Sequence, residues 1–269
     1  MPVNVEKPSE HPHVALVTID RPERANSLDP EMLSQLAAAW RELAEDSDVR
    51  CVVLRGAGDR VFTSGMDIGA TLSASQKLHR GERVTEAEFE GLRSAKTATL
   101  AGFDLNKPLI CAVNGHARGG GFDLMLASEL RYAVPTATFA LEEVALGLYP
   151  TGHASVLLAR QIGWVHAHHL LLTAQPIDAE HALRVGLINE IVAPEALMDR
   201  AFQTAGTIAS NAPLAVTATR AGVRELLSMD LDAAYLRQEE IGKELRKTED
   251  AREAQKAFME KRAPVFQGR

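Results

Sequence analysis

Apolar residues recur along this chain in two rhythms. Short unbroken apolar runs, VALVTID (14–20), VRCVVLR (49–55), LICAV (109–113) and LRYAV (130–134), predict buried strands. Between the first two, Met32, Leu33, Leu36 and Trp40 recur at helical spacing. Asp29-Pro30 supplies an N-cap followed by proline at the first helical position, so a helix is predicted from there to about Ala44. Residues 71–90 are polar with weak periodicity and read as a mobile loop running into a helix that ends near Phe103. Another helix is predicted from about Gly121, after the Asn114-Gly115 turn signal. TFALEEVALGLYPTGH reads as loop-rich with a short strand at its start. From Ala154 onward the pattern is helical, apart from LINEIV near 187–192. Strands alternating with helices, then helices alone, imply an α/β fold with a parallel sheet and a helical C-terminal part. No internal repeat or low-complexity linker interrupts the chain. The charged helices of 229–262 carry opposite charges at i,i+4 and read as a solvated face.

Composition narrows the function classes. The 269 residues are 46% hydrophobic, enough for a sizeable core in one large domain or two smaller ones. A net charge of −7 argues against a sequence-independent nucleic-acid binder. Cys51 and Cys111 both sit in apolar strand-like runs and are expected to be buried free thiols. No Cys/His spacing suggests a structural zinc site. No signal peptide and no membrane span is read, so a soluble cytoplasmic protein is expected.

The chemistry concentrates where glycine does. RGGGFDLMLAS (118–128) places three consecutive glycines between a strand and a helix. A helix N-terminus offers unpaired N–H groups and the positive end of a dipole, and glycine lets a ligand oxygen reach them. Tight packing of the helix against a neighbour explains the glycines equally well. FTSGMD (62–67) is placed in the same way after the strand CVVLRG and offers a free N–H at Met66. Two such loops at the C-terminal ends of strands in one sheet can converge into an oxyanion hole.

These stretches resemble the enoyl-CoA hydratase/isomerase (crotonase) family. FTSGMDI resembles its F-x-x-G-x-D loop, and NGHARGGGFDLMLASELRYA its glycine-rich signature. TIDRPERANSL, FALEEVALGLYPTG and FMEKRAPVF continue the similarity over nearly the whole chain in the family's order. The resemblance implies a crotonase-like spiral of ββα units with a helical C-terminal region, here 1–200 for the core and acyl-CoA site and 201–269 for a helical trimerisation region. It implies an acyl-CoA thioester substrate, a homotrimer or dimer of trimers, and no cofactor beyond the CoA of the substrate. The Met66 and Gly120 N–H groups would form the oxyanion hole. Arg24, Ala25, Ser64, Asp67, Ile68 and Gly119 would lie along the CoA thioester. Lys261 would approach a CoA phosphate, and Phe258, one helical turn earlier, the acyl end or a subunit contact; Lys261 reads equally as a plain surface charge.

The resemblance also selects two acids, Asp123, three residues after Gly120, and Glu143, twenty further on. On the residues alone Asp123 reads first as a first-turn helix acid and Glu143 as a surface loop charge. In an extended segment Glu142 and Glu143 would point oppositely, and only one could face a site. Two carboxylates can hold a water between them, one accepting its proton and the other supplying one to carbon, as hydration of a 2-enoyl-CoA requires. Asp123 stands where many hydratases have glutamate, a loss of reach of about 1.5 Å. Thr151 and His153 replace smaller residues in the pocket-lining stretch. His153 can narrow the pocket, touch substrate or titrate near neutrality, or can simply face solvent. The expected function is enoyl-CoA hydration. A Δ3,Δ2-enoyl-CoA isomerase, which needs one acid, and a silent CoA-thioester-binding protein are the alternatives.

Overall fold

The computed structural model describes residues 2–269. The apolar runs become β2 (Val14–Ile19), β3 (Cys51–Gly56), β5 (Leu109–Val113) and β7 (Leu130–Ala133), nearly all of whose residues are buried. They pair in parallel in the order β2-β3-β5-β7. The short strand β1 (Val3–Glu6) adds antiparallel at one edge and β10 (Glu190–Ile191) adds parallel at the other. A second sheet is built from shorter strands: β4 (Val61–Thr63), β6 (His116–Arg118) and β8 (Thr138–Ala140) in parallel, with β9 (Ile177–Asp178) antiparallel at the edge. Each strand of the large sheet from β3 to β7 is thus followed by a short partner in the small one. This repeated strand–strand–helix unit is the α/β spiral expected from the sequence. Apart from β8, read at the start of TFALEEV, the two- or three-residue strands of the small sheet are too short for a hydrophobic rhythm to mark them.

Helix α1 (Pro30–Glu45) begins as expected, with the Asp29 carboxylate accepting from the Met32 N–H at 2.9 Å. The stretch read as a loop is instead helical. A wide π-type turn over 68–72 leads into α2 (Ser73–His79), and α3 (Glu86–Ala98) follows. A reciprocal capping box between Thr85 and Glu88 starts α3, and a Lys77–Glu88 ion pair of 3.1 Å ties α2 to it. Helix α3 ends at Ala98 rather than Phe103. There the Ala98 carbonyl accepts from the buried Trp40 indole N–H of α1 at 2.9 Å.

Helix α4 (Gly120–Leu126) follows β6. After β8, a 3₁₀ turn over Glu143–Leu146 leads to a π-type turn over Ala154–Leu158. Then come α5 (Ala159–Ile162), α6 (Trp164–Thr173) and α7 (Ala179–Arg184). Helix α8 (Leu197–Ser210) crosses residue 200 and buries Leu197, Ala201, Ala205 and Ala209 in the core cluster that includes the large sheet. The remaining helices, α9 (Pro213–Leu226), α10 (Leu231–Leu245) and α11 (Glu249–Glu260), form the helical C-terminal part. Cys51 and Cys111 are buried free thiols, with both pKa values pushed up to about 12 by burial. No helix among the described residues is long and apolar enough to cross a membrane.

Candidate active site

The small sheet delivers three loops to one place. The loop after β4 carries Met66, the turn after β6 carries the three glycines, and the turn after β8 carries Glu143. The first two meet: a Cβ added to Gly120 would lie 3.5 Å from the Met66 nitrogen, and one added to Gly65 would lie 2.6 Å from the Gly120 nitrogen. Among the described residues neither the Met66 N–H nor the Gly120 N–H has a hydrogen-bond acceptor. Two such donors side by side, one of them at the start of a helix, can hold a single carbonyl oxygen as it gains negative charge.

The three glycines have separate reasons. Gly119, at φ 44° and ψ −122°, takes a backbone conformation that side-chain-bearing residues rarely adopt. Gly120 leaves the space in front of Met66 open. Gly121 lets α4 pack on β4, since a Cβ there would meet the Thr63 carbonyl oxygen at 2.5 Å. An open approach to a backbone donor and tight packing thus stand at adjacent positions.

The loop carrying Met66 is held from the N-terminal side of the chain. Leu28 donates its N–H to the Gly65 carbonyl at 2.7 Å and accepts from the Asp67 N–H at 2.9 Å. Ser64 donates to the Ala25 carbonyl at 3.0 Å. Asn26, fully buried at φ 52°, donates through its amide to the carbonyls of Ala57 and Val61. No role for Asn26 follows from the sequence; its one signal there is a polar residue in a turn-rich stretch before a helix. Asp67 is committed to structure. Its carboxylate caps the π-type turn at the Ala70 N–H and pairs with Arg21 at 3.0 Å. Ile68 is exposed, as is Arg24.

Both acids lie beside the glycine turn. Asp123 sits in the first turn of α4, only 6% exposed, and its Oδ1 accepts from the Ala154 N–H at 2.7 Å. The backbone of Gly152 presses so closely on it that any Cβ there would collide with the carboxylate. Burial raises its pKa to about 6 against the lowering effect of the Ala154 and His153 amides, and the nearby Glu143 charge adds to the rise. Glu143 places Oε1 3.6 Å from where a Gly119 Cβ would stand, and Oε2 is buried without a hydrogen-bond partner among the described residues. Its pKa is also raised, by burial first and by Glu142 in addition. A buried oxygen with no partner inside the protein is unusual and marks a place for one from outside.

The segment carrying Glu142 and Glu143 is a 3₁₀ turn rather than extended, yet the two side chains still diverge. Glu142 turns to Arg118 at 2.9 Å. His153 does not face solvent. It is half-buried, with Nε2 3.0 Å from the Thr99 carbonyl at the end of α3, and burial lowers its pKa. Thr151 is exposed. Phe258, 85% exposed, and Lys261, in a left-handed conformation at the end of α11, lie at the far C-terminal end of the chain. Among the described residues the Lys261 ammonium makes no hydrogen bond or ion pair with another site residue.

Paired backbone donors beside two carboxylates of raised pKa can stabilise an oxyanion and move a proton at a neighbouring carbon. The family comparison agrees in kind: the enoyl-CoA hydratase/isomerase profile matches residues 9–269. The chain belongs to the enoyl-CoA hydratase/isomerase family. It is 38% identical to an (E)-benzylidenesuccinyl-CoA hydratase of Thauera aromatica over 268 residues, covering 100% of each chain. It is 36% identical to a short-chain-enoyl-CoA hydratase of Clostridium acetobutylicum, over 93% of this chain and 92% of that one. Among solved structures it superposes on an enoyl-CoA hydratase from Bacillus anthracis with a TM-score of 0.89 at 29% identity, covering 100% of both chains.

Proposed function

We propose that this enzyme adds water across the double bond of a 2-enoyl-CoA thioester, with Asp123 and Glu143 as its acid–base pair and the Met66 and Gly120 N–H groups as its oxyanion hole. The observation that carries this reading is the buried, unpartnered Oε2 of Glu143 beside the glycine turn. The thioester carbonyl accepts from the two N–H groups, which draws electrons from Cβ. Water held between the carboxylates adds its oxygen to Cβ as one carboxylate takes its proton. The other carboxyl delivers a proton to Cα as the enolate collapses. Burial supports proton exchange near neutrality, because both acids hold their protons to higher pH than free carboxylates do.

The reading needs no metal or redox cofactor, since CoA enters as part of the substrate. We place Arg24, Ala25, Ser64, Ile68, Gly119 and Thr151 along the thioester, and Asp67 behind them as a loop support. Phe258 and Lys261 reach a site only in an assembly, a homotrimer or dimer of trimers, in which the C-terminal helices of one copy approach the next. The expected compartment is the cytoplasm. One observation favours a second reading, Δ3,Δ2-enoyl-CoA isomerisation. Asp123 already accepts from Ala154, which leaves Glu143 as the less committed acid.

The test is loss of enoyl-thioester absorbance from crotonyl-CoA and a longer 2-enoyl-CoA, with parent, Glu143→Gln and Asp123→Asn proteins. Hydration requires both acids, so both variants lose activity. A 3-enoyl-CoA that is isomerised by Asp123→Asn but not by Glu143→Gln would establish the second reading instead.

A further inference from the structure

Glu142 and Glu143 are adjacent glutamates at the mouth of one site, and only the second faces it. What separates them is Arg118. This residue ends β6 and immediately precedes Gly119. Its guanidinium makes two bonds of 2.9 Å, one to Glu142 Oε1 and one to Thr138 Oγ1, and Thr138 Oγ1 lies 2.9 Å from His116 Nδ1. Strands β6 and β8 run parallel with Arg118 opposite Ala140, and the Gly119 N–H donates to the Ala140 carbonyl at 3.1 Å. The ladder therefore fixes the chain up to Ala140 and leaves two residues before Glu143. Glu142 caps the 3₁₀ turn that starts at Glu143, and its backbone (φ −92°, ψ 4°) is close to that of the turn, so the two consecutive side chains point in different directions. Holding Glu142 outward on Arg118 therefore turns Glu143 inward, toward Gly119.

We propose that Arg118 is a positioning residue that captures Glu142 and so sets Glu143, rather than its neighbour, over the Gly119–Gly120 turn. The proposal rests on the reading of Glu143 as an acid–base group. The pair is partly exposed, with side chains 28% and 38% accessible, so it contributes little to stability. Its effect falls on where a reacting oxygen stands. A displacement of one ångström there can cost about 10²-fold in rate, and a fraction of an ångström on the order of tenfold.

The test compares Arg118→Met, Glu142→Gln and the charge swap Arg118→Glu with Glu142→Arg, each assayed with crotonyl-CoA, melted, and crystallised. Arg118→Met is expected to lose about tenfold in kcat, with KM and Tm nearly unchanged. Its crystal structure should show Glu143 displaced from Gly119, or Glu142 in its place. The swap should restore both the rate and the Glu143 position. Glu142→Gln keeps a polar partner for Arg118 and should lose less than Arg118→Met. Full activity in Arg118→Met, an unmoved Glu143 in its crystal structure, or a loss the swap does not recover would overturn the proposal. Glu143→Gln separates this from the underlying reading. If it retains activity, the acid–base assignment fails. If it is inactive while Arg118→Met is unaffected, only the role of Arg118 fails.

Discussion

Asp123 should weaken the fold that it serves. Its carboxyl lies 6% exposed beside Gly152 and holds its proton up to about pH 6, against an ordinary value of 3.8. Ionising it in the folded state therefore costs more than ionising it in the unfolded chain. The folded form binds the proton more tightly between those two values, so stability falls as pH rises from about 4 to 6 and stays reduced above. That displacement corresponds to about 3 kcal/mol at pH 8, and only a small part of it applies at pH 4. Asp123→Asn removes the titration and keeps an oxygen for the Ala154 N–H. Any packing penalty of the amide against Gly152 applies equally at both pH values and cancels in the comparison. For a chain of this size the difference amounts to roughly 5 °C. Thermal melts of parent and variant at pH 4 and pH 8 should show the variant gaining that much relative to the parent at the higher pH. Its hydration rate should fall by about 10²–10⁴ at the same time. An equal Tm difference at both pH values would refute the reasoning, because the carboxyl would then titrate alike in both states.

Gly65→Ala puts a methyl 2.6 Å from the Gly120 nitrogen at φ 82°, and should cut kcat by about 10²–10³ while the protein still folds; steady-state kinetics with crotonyl-CoA checks this. His153→Gln retains a donor for the Thr99 carbonyl but cannot titrate. Burial lowers the His153 pKa, so the parent loses stability through this group as pH falls through 6.5, and melts between pH 7 and 5 should show the variant losing less. Trp40→Phe removes the indole bond to Ala98 and should cost about 2 kcal/mol, a Tm drop of roughly 4 °C in a denaturation scan.

Long apolar runs made the large sheet readable, because a strand buried on both faces needs no alternation to be recognised. Strands β4, β6 and β8 carry the site but are three residues each, and they exist through pairing with one another rather than through local preference. The 71–90 stretch went unread as helix because its apolar face is thin, although Thr85 and Glu88 spell out a capping box three residues apart. The glycine turn was legible as an unusual backbone but not as three different demands. Adjacent acids could not be told apart from spacing, since the residue that separates them, Arg118, is distant in sequence and near only through the ladder. His153 became interpretable only once α3 supplied a carbonyl for it.

The succession of β4, β6 and β8 has a consequence for how such a scaffold changes over time. The parallel strands end at nearly the same level and hand off the components in turn: a donor, then a second donor with an acid, then the other acid. Because the strands are held by backbone ladders and not by the side chains they deliver, each component behaves as an exchangeable cassette. A new residue can enter a few positions past one strand end without shifting the register of the next. Asp123, five residues past the end of β6, and Glu143, three past the end of β8, occupy positions of that kind.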